Sequence, residues 1–128
     1  MAIKLDAFER AFFECALWST NDESTEAGGN PLDDTFSIRD IADETLLKLM
    51  SECHSFREAN ADLLEQAGSD EQNGHDFWLS RNGHGAGYFD RGYGDVGQKL
   101  QAACGWRTAF GEVNLCIGDD GKIYCFQD

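Results

Sequence analysis

The chain has 128 residues, with 24 Asp and Glu against 10 Lys and Arg, for a formal net charge of −14. That length is one domain's worth of chain, enough to build a core without disulfides or metals. A hydrophobic share of 41% excludes a disordered acidic tail, and the charge excludes easy binding to nucleic acid phosphates or an anionic membrane surface.

The first residues, Met1 to Asp6, turn acidic at once and lack a continuous apolar stretch, so no secretory signal is expected. No segment approaches the ~18 apolar residues of a membrane span. The five cysteines (Cys15, Cys53, Cys104, Cys116 and Cys125) are odd in number, irregularly spaced and without a Cys-x-x-Cys pair. They read as reduced, mostly buried thiols in a cytoplasmic protein. Charge is uneven along the chain. Residues 1–72 carry a net of −12 and three glycines, whereas residues 73–128 carry −2 and eleven glycines. The expectation is a single domain over 1–128, with an acidic helical half and a glycine-rich half.

In residues 4–18, Leu5, Phe8, Phe12, Cys15 and Ala16 recur at helical spacing, and Phe13, Leu17 and Trp18 widen the stripe. The cluster Ser19-Thr20-Asn21-Asp22 stops that helix, and residues 21–35, with Gly28, Gly29 and the single proline Pro31, read as a long loop. A second helical pattern covers residues 41–67, with Leu46, Leu47, Met50, Cys53, Phe56, Leu63 and Leu64 turned inward and a possible break at Asn60-Ala61-Asp62. Asp40 or Ser37 is the expected N-cap and Gly68 the C-terminal stop.

Beyond residue 73, the aromatic run Asp76 to Arg81 reads as a strand, Asn82-Gly83 as a hairpin turn and Tyr88-Phe89-Asp90 as the return strand. Residues 95–106 look helical, and residues 112–117 and 122–126 read as two strands joined by the turn Gly118-Asp119-Asp120-Gly121. The expected class is α+β: N-terminal helices packed on a small, mainly antiparallel sheet built from two hairpins and a connecting helix.

No chemical motif stands out strongly. Asn82-Gly83-His84-Gly85-Ala86-Gly87 could cradle an anion with its amides, but it lacks the spacing of a Walker loop or a dinucleotide fingerprint, and reads first as a glycine-rich turn. His75, His84 and Asp90 have no recognised zinc spacing, and Gly118 to Lys122 is too short for an EF-hand. No metal or cofactor is expected. Cys15, on an apolar stripe, reads as core.

Three strings taken together resemble a family: Phe13-Glu14-Cys15-Ala16-Leu17-Trp18-Ser19, the run HDFWLSRNGHGAGYFD from His75 to Asp90, and Gly118-Asp119-Asp120-Gly121-Lys122-Ile123-Tyr124. They are similar to small acidic proteins of unknown function from bacteriophages and related mobile elements. The resemblance implies a protein acting in a bacterial host cytoplasm. Small acidic proteins of that setting include inhibitors of restriction and CRISPR systems, some of them DNA mimics.

The functional expectation is a non-enzymatic protein that binds a basic, nucleic-acid-handling host protein through acidic side chains. The expected contact residues are Asp33, Asp34, Asp40, Asp43, Glu44, Glu52, Glu58, Asp62 and Glu65. The alternative is a small enzyme or ligand-binding domain centred on Arg81, Asn82, His84 and Asp90. A third reading gives the acidity no role beyond solubility.

Overall fold

The structure is a computed structural model that describes residues 3–22, 30–82, 87–88, 92–104, 110 and 112–126. The first helix, α1, is Ala7–Ser19. It starts where Asp6 accepts a hydrogen bond from the Glu9 amide (2.9 Å) and Glu9 accepts one from the Asp6 amide (3.0 Å), a reciprocal cap that satisfies two otherwise orphaned donors. The apolar stripe buries Phe8, Phe12, Phe13, Cys15, Ala16 and Leu17, while Trp18 stands outside it, 55% exposed. The long loop is tied at both ends. Short strands β1 (Asn21–Asp22) and β2 (Asn30–Pro31) pair antiparallel, and a 3-10 turn over Leu32–Asp34 drives Leu32 into the core.

The second pattern begins later than the sequence suggests. Asp40 accepts from the Ser37 amide (2.8 Å) within a separate 3-10 turn, Ile38–Asp40, so neither residue caps the long helix. Ile41 is extended and makes a parallel bridge to Ile123, which interrupts the helical run; α2 then spans Asp43–Ala59 with Ala42 at its N-cap position. The expected break occurs at Asn60, whose side chain donates to the Phe56 carbonyl (2.9 Å), and α3 (Ala61–Gln66) follows. Leu46, Leu49, Cys53 and Phe56 face the core, whereas Leu47, expected inside, is 56% exposed. It projects from the side opposite Cys53 and Phe56.

The largest departure is α4, Asp70–Arg81, which includes the run read as a strand. Ser69 caps it by accepting from the Gln72 amide (3.2 Å), and Asp70 and Glu71 occupy the first turn, where carboxylates favour the helix dipole. From Asn73 to Arg81 every residue but His75 is buried, so no polar stripe reveals the 3.6-residue period. The helix lies directly against α1 through Gly74: a Cβ there would meet the Phe8 carbonyl oxygen at 2.1 Å. Tyr88, expected in a return strand, is a buried anchor. Its amide donates to Ser80 Oγ and its hydroxyl to the Asn73 carbonyl, each at 3.0 Å. Gly87 makes this possible, with a positive φ of 126° and no room for a Cβ beside Ser80. Phe89 and Asp90 lie outside the described residues.

Helix α5 (Asp95–Cys104) and the hairpin of β3 (Asn114–Ile117) and β4 (Ile123–Phe126) match the expected elements. The hairpin register pairs Leu115 with Cys125 and Cys116 with Tyr124. It is attached to the start of α2 by Ala42 N–H to the Ile123 carbonyl (2.9 Å) and Cys125 N–H to Thr45 Oγ1 (3.3 Å). The α+β class stands, but among the described residues helices dominate, and Asp76 to Arg81 lie in a helix instead of forming half a hairpin. The aromatic core joins both halves of the chain: Phe56 of α2 stacks flat on Phe77 of α4 at 4.2 Å, and Phe8 and Phe12 of α1 surround the same ring.

Candidate functional site

The nine carboxylates expected to form one face fall into separate places. Asp33 and Asp34 lie on the first 3-10 turn, exposed. Asp40 is half-buried and caps the second. Asp43 and Glu44 are exposed at the start of α2, where they also serve the helix dipole. Glu52 turns inward, its Oε1 2.5 Å from Nη2 of Arg81. Glu58, Asp62 and Glu65 are exposed around the α2–α3 junction, some 20 Å along the helix from Asp43 by an α-helical rise of about 1.5 Å per residue.

Of the nine, Glu58 and Glu65 border one concavity, and Asp33 borders another beside Arg10 and Arg39. A cleft of about 670 Å³ opens where α2, α3 and the first turn of α4 meet, lined by Glu58, Glu65, Asp70 and Asn73 with Phe8 and Gly68. Asp70 joins Glu58 and Glu65 because the α3–α4 turn folds it back toward α2. Its signal in the sequence was the cap string Ser69-Asp70-Glu71-Gln72, which marks a helix start. One cation shares the wall. Arg57 pairs with Asp6 (2.6 Å) and lies over the Phe8 ring, 4.7 Å from its centroid. Burial pushes the Asp6 carboxyl up, but the Glu9 amide and the Arg57 guanidinium outweigh it and hold the carboxyl below its ordinary value. His54 approaches Glu58 at 3.2 Å, an exposed contact between helix neighbours.

The glycine-loop alternative meets a different arrangement. Arg81 is 0% exposed; besides Glu52 it donates to the Phe110 carbonyl, and its guanidinium lies 5.2 Å from the Phe77 ring centroid. Asn82 donates to the Trp78 carbonyl (2.9 Å) and accepts from the Val113 amide (2.8 Å). Both side chains clamp the end of α4 to the segment leading into β3, facing the interior. His84 and Asp90 lie outside the described residues.

Burial raises the thiol pKa of Cys53, and that of Cys104 is pushed up to about 12, so these cysteines are held protonated within the core. Among the described residues no group of three or more His, Cys, Asp or Glu is placed to hold a metal ion. None of their helices is long and apolar enough to cross a membrane. No protein-family model, curated protein or solved structure matches the chain.

Proposed function

We propose that this chain is a non-enzymatic binding protein that presents the carboxylates around the α2–α3 junction to a basic protein partner. The observation that carries the reading is the rim of Glu58, Glu65 and Asp70 on three successive helices around one cleft, with Asp62 exposed nearby. Carboxylates fixed on a rigid scaffold form a concentrated negative field that attracts a positively charged groove. In the setting implied by the resemblance to phage proteins, the partner is a nucleic-acid-handling protein of a bacterial host, and the acidic rim occupies its nucleic-acid groove in place of phosphates. Inhibition of a restriction or CRISPR complex in the host cytoplasm is the function this reading assigns.

Affinity capture from bacterial lysate tests it. The parent chain should retain a basic partner at low salt, and a variant carrying Glu58→Lys, Asp62→Lys and Glu65→Lys should not. Equal retention by both proteins contradicts the reading.

A further inference from the structure

We propose that the outer edge of β3 pairs with the same edge of a second copy of this chain, joining two hairpins into one antiparallel sheet around a twofold axis at Cys116. The inference is independent of the partner-binding reading above. The phase of the hairpin decides which backbone groups face outward. Gly118 N–H donates to the Lys122 carbonyl (2.7 Å), so the even-numbered residues of β3 bond inward to β4 and the odd-numbered ones face away. On β4 the outward groups are taken up: the Ile123 carbonyl accepts from the Ala42 amide, and the Cys125 amide donates to Thr45 Oγ1. On β3 the N–H and C=O groups of Leu115 and Ile117 face outward and have no partner among the described residues. The strand Asn114–Ile117 also carries no charge and no proline, the usual devices that keep an edge from pairing. Asn114 and Cys116 are exposed beside it.

This edge is its own complement. In a twofold antiparallel pairing, outward residues must meet outward residues, which leaves an axis at Leu115, Cys116 or Ile117. An axis at Leu115 needs the Val113 N–H, which Asn82 Oδ1 already accepts (2.8 Å). An axis at Ile117 sets Leu115 opposite Asp119, past the end of the strand and inside the turn. An axis at Cys116 lets Leu115 and Ile117 of one copy exchange both bonds with Ile117 and Leu115 of the other, so every outward group finds its complement. The two Cys116 residues then occupy a non-hydrogen-bonded position with Cα atoms about 4.5 Å apart, inside the ~4.4–6.8 Å that a disulfide spans. Charge opposes the contact: each copy carries −14, and Glu112 faces Asp120 of the other copy just beyond the paired residues. Salt therefore strengthens this pairing, the opposite of its effect on an acidic rim bound to a basic partner.

Sedimentation equilibrium of the reduced, whole chain over a concentration series should show monomer and dimer, with the dimer fraction rising with salt. Leu115→Pro removes an outward N–H that the monomer does not use, and should weaken association about tenfold or more. If thermal melts show that variant unfolded, Cys116→Lys replaces it; it sets like charges face to face on the axis and should cost about threefold. Diamide then reads the register, since it takes two electrons and two protons from a pair of thiols and leaves a disulfide. On non-reducing gels the parent should form a covalent dimer about tenfold faster than a Cys116→Ser, Asn114→Cys chain, whose thiol lies two residues off the axis. A parent that stays monomeric at every concentration and salt, or a dimer that the edge variant leaves unchanged, overturns the pairing. Equal cross-linking rates overturn the axis at Cys116.

Discussion

Replacing Gly74 with alanine tests the closest backbone approach in the fold. On helix propensity alone the change gains about 1 kcal/mol, since glycine inside a helix is unfavourable. Here the new Cβ would fall 2.1 Å from the Phe8 carbonyl oxygen, 2.9 Å from its carbon and 3.1 Å from the Phe12 nitrogen. All three are backbone atoms of α1, so no side chain can rotate away. Restoring an ordinary contact of 3.4 Å requires α1 and α4 to separate by more than an ångström at that point. Phe8, Phe12 and Phe77 sit on both sides of the contact, each 1% exposed or less, so separation loosens the centre of the core. Overpacking costs about 1–3 kcal/mol where side chains can adjust and more where they cannot; a net loss of about 3 kcal/mol remains after the propensity gain. For a chain of this size that lowers the melting temperature by about 10 °C. Differential scanning calorimetry reads it directly. A Gly74→Ala protein that melts at or above the parent refutes the backbone contact between α1 and α4.

Three further outcomes follow from the same geometry. Glu52→Ala leaves Arg81 buried without its carboxylate and should cost about 3 kcal/mol in urea unfolding, at the low end for buried pairs because Glu52 is partly exposed. Adding Arg81→Met should recover part of that loss, and a double variant no more stable than Glu52→Ala contradicts the assignment. Asp6 has a lowered pKa in the folded chain, so its contribution is fully present above its unfolded value near ~3.9 and is lost as pH falls through the folded value. The stability gap between parent and Asp6→Asn, measured by denaturant melts, should therefore be open at about pH 7 and closed at about pH 2; a gap of equal size at both pH values is the contrary result. A thiol-specific reagent at about pH 8 should label exposed Cys116 quickly and half-buried Cys125 slowly, with Cys15, Cys53 and Cys104 reacting only in denaturant. Rapid labelling of all five would place the core thiols wrongly.

What could be read from sequence depended on whether the relevant signal was local. Helix α1 was legible because its apolar stripe has polar residues on the other side. Helix α4 was not, because it is enclosed on nearly every side and its aromatic run then resembles a buried strand. Its cap, Ser69 with Gln72, was the local sign that could have decided between the two. The start of α2 was misplaced because the bridge from Ile41 to Ile123 spans 82 positions of sequence, out of reach of any local pattern. The same holds at the site. Glu58 and Glu65 were legible as exposed helical acids. Glu52 is indistinguishable from them by local pattern, because its pairing with Arg81 of α4 joins residues 29 positions apart. Asp70 and Asn73 line the cleft only through the turn after α3, which no local pattern places.

The central claim is that recognition is electrostatic and centred on the α2–α3 junction. Its most direct test is the dissociation constant of the purified complex with the captured partner, measured across salt. The parent's affinity should fall steeply, by about tenfold or more between ~0.05 and ~0.2 M, and the Glu58→Lys, Asp62→Lys, Glu65→Lys variant should show no measurable binding at either salt. An affinity independent of salt and unchanged in that variant would contradict the account.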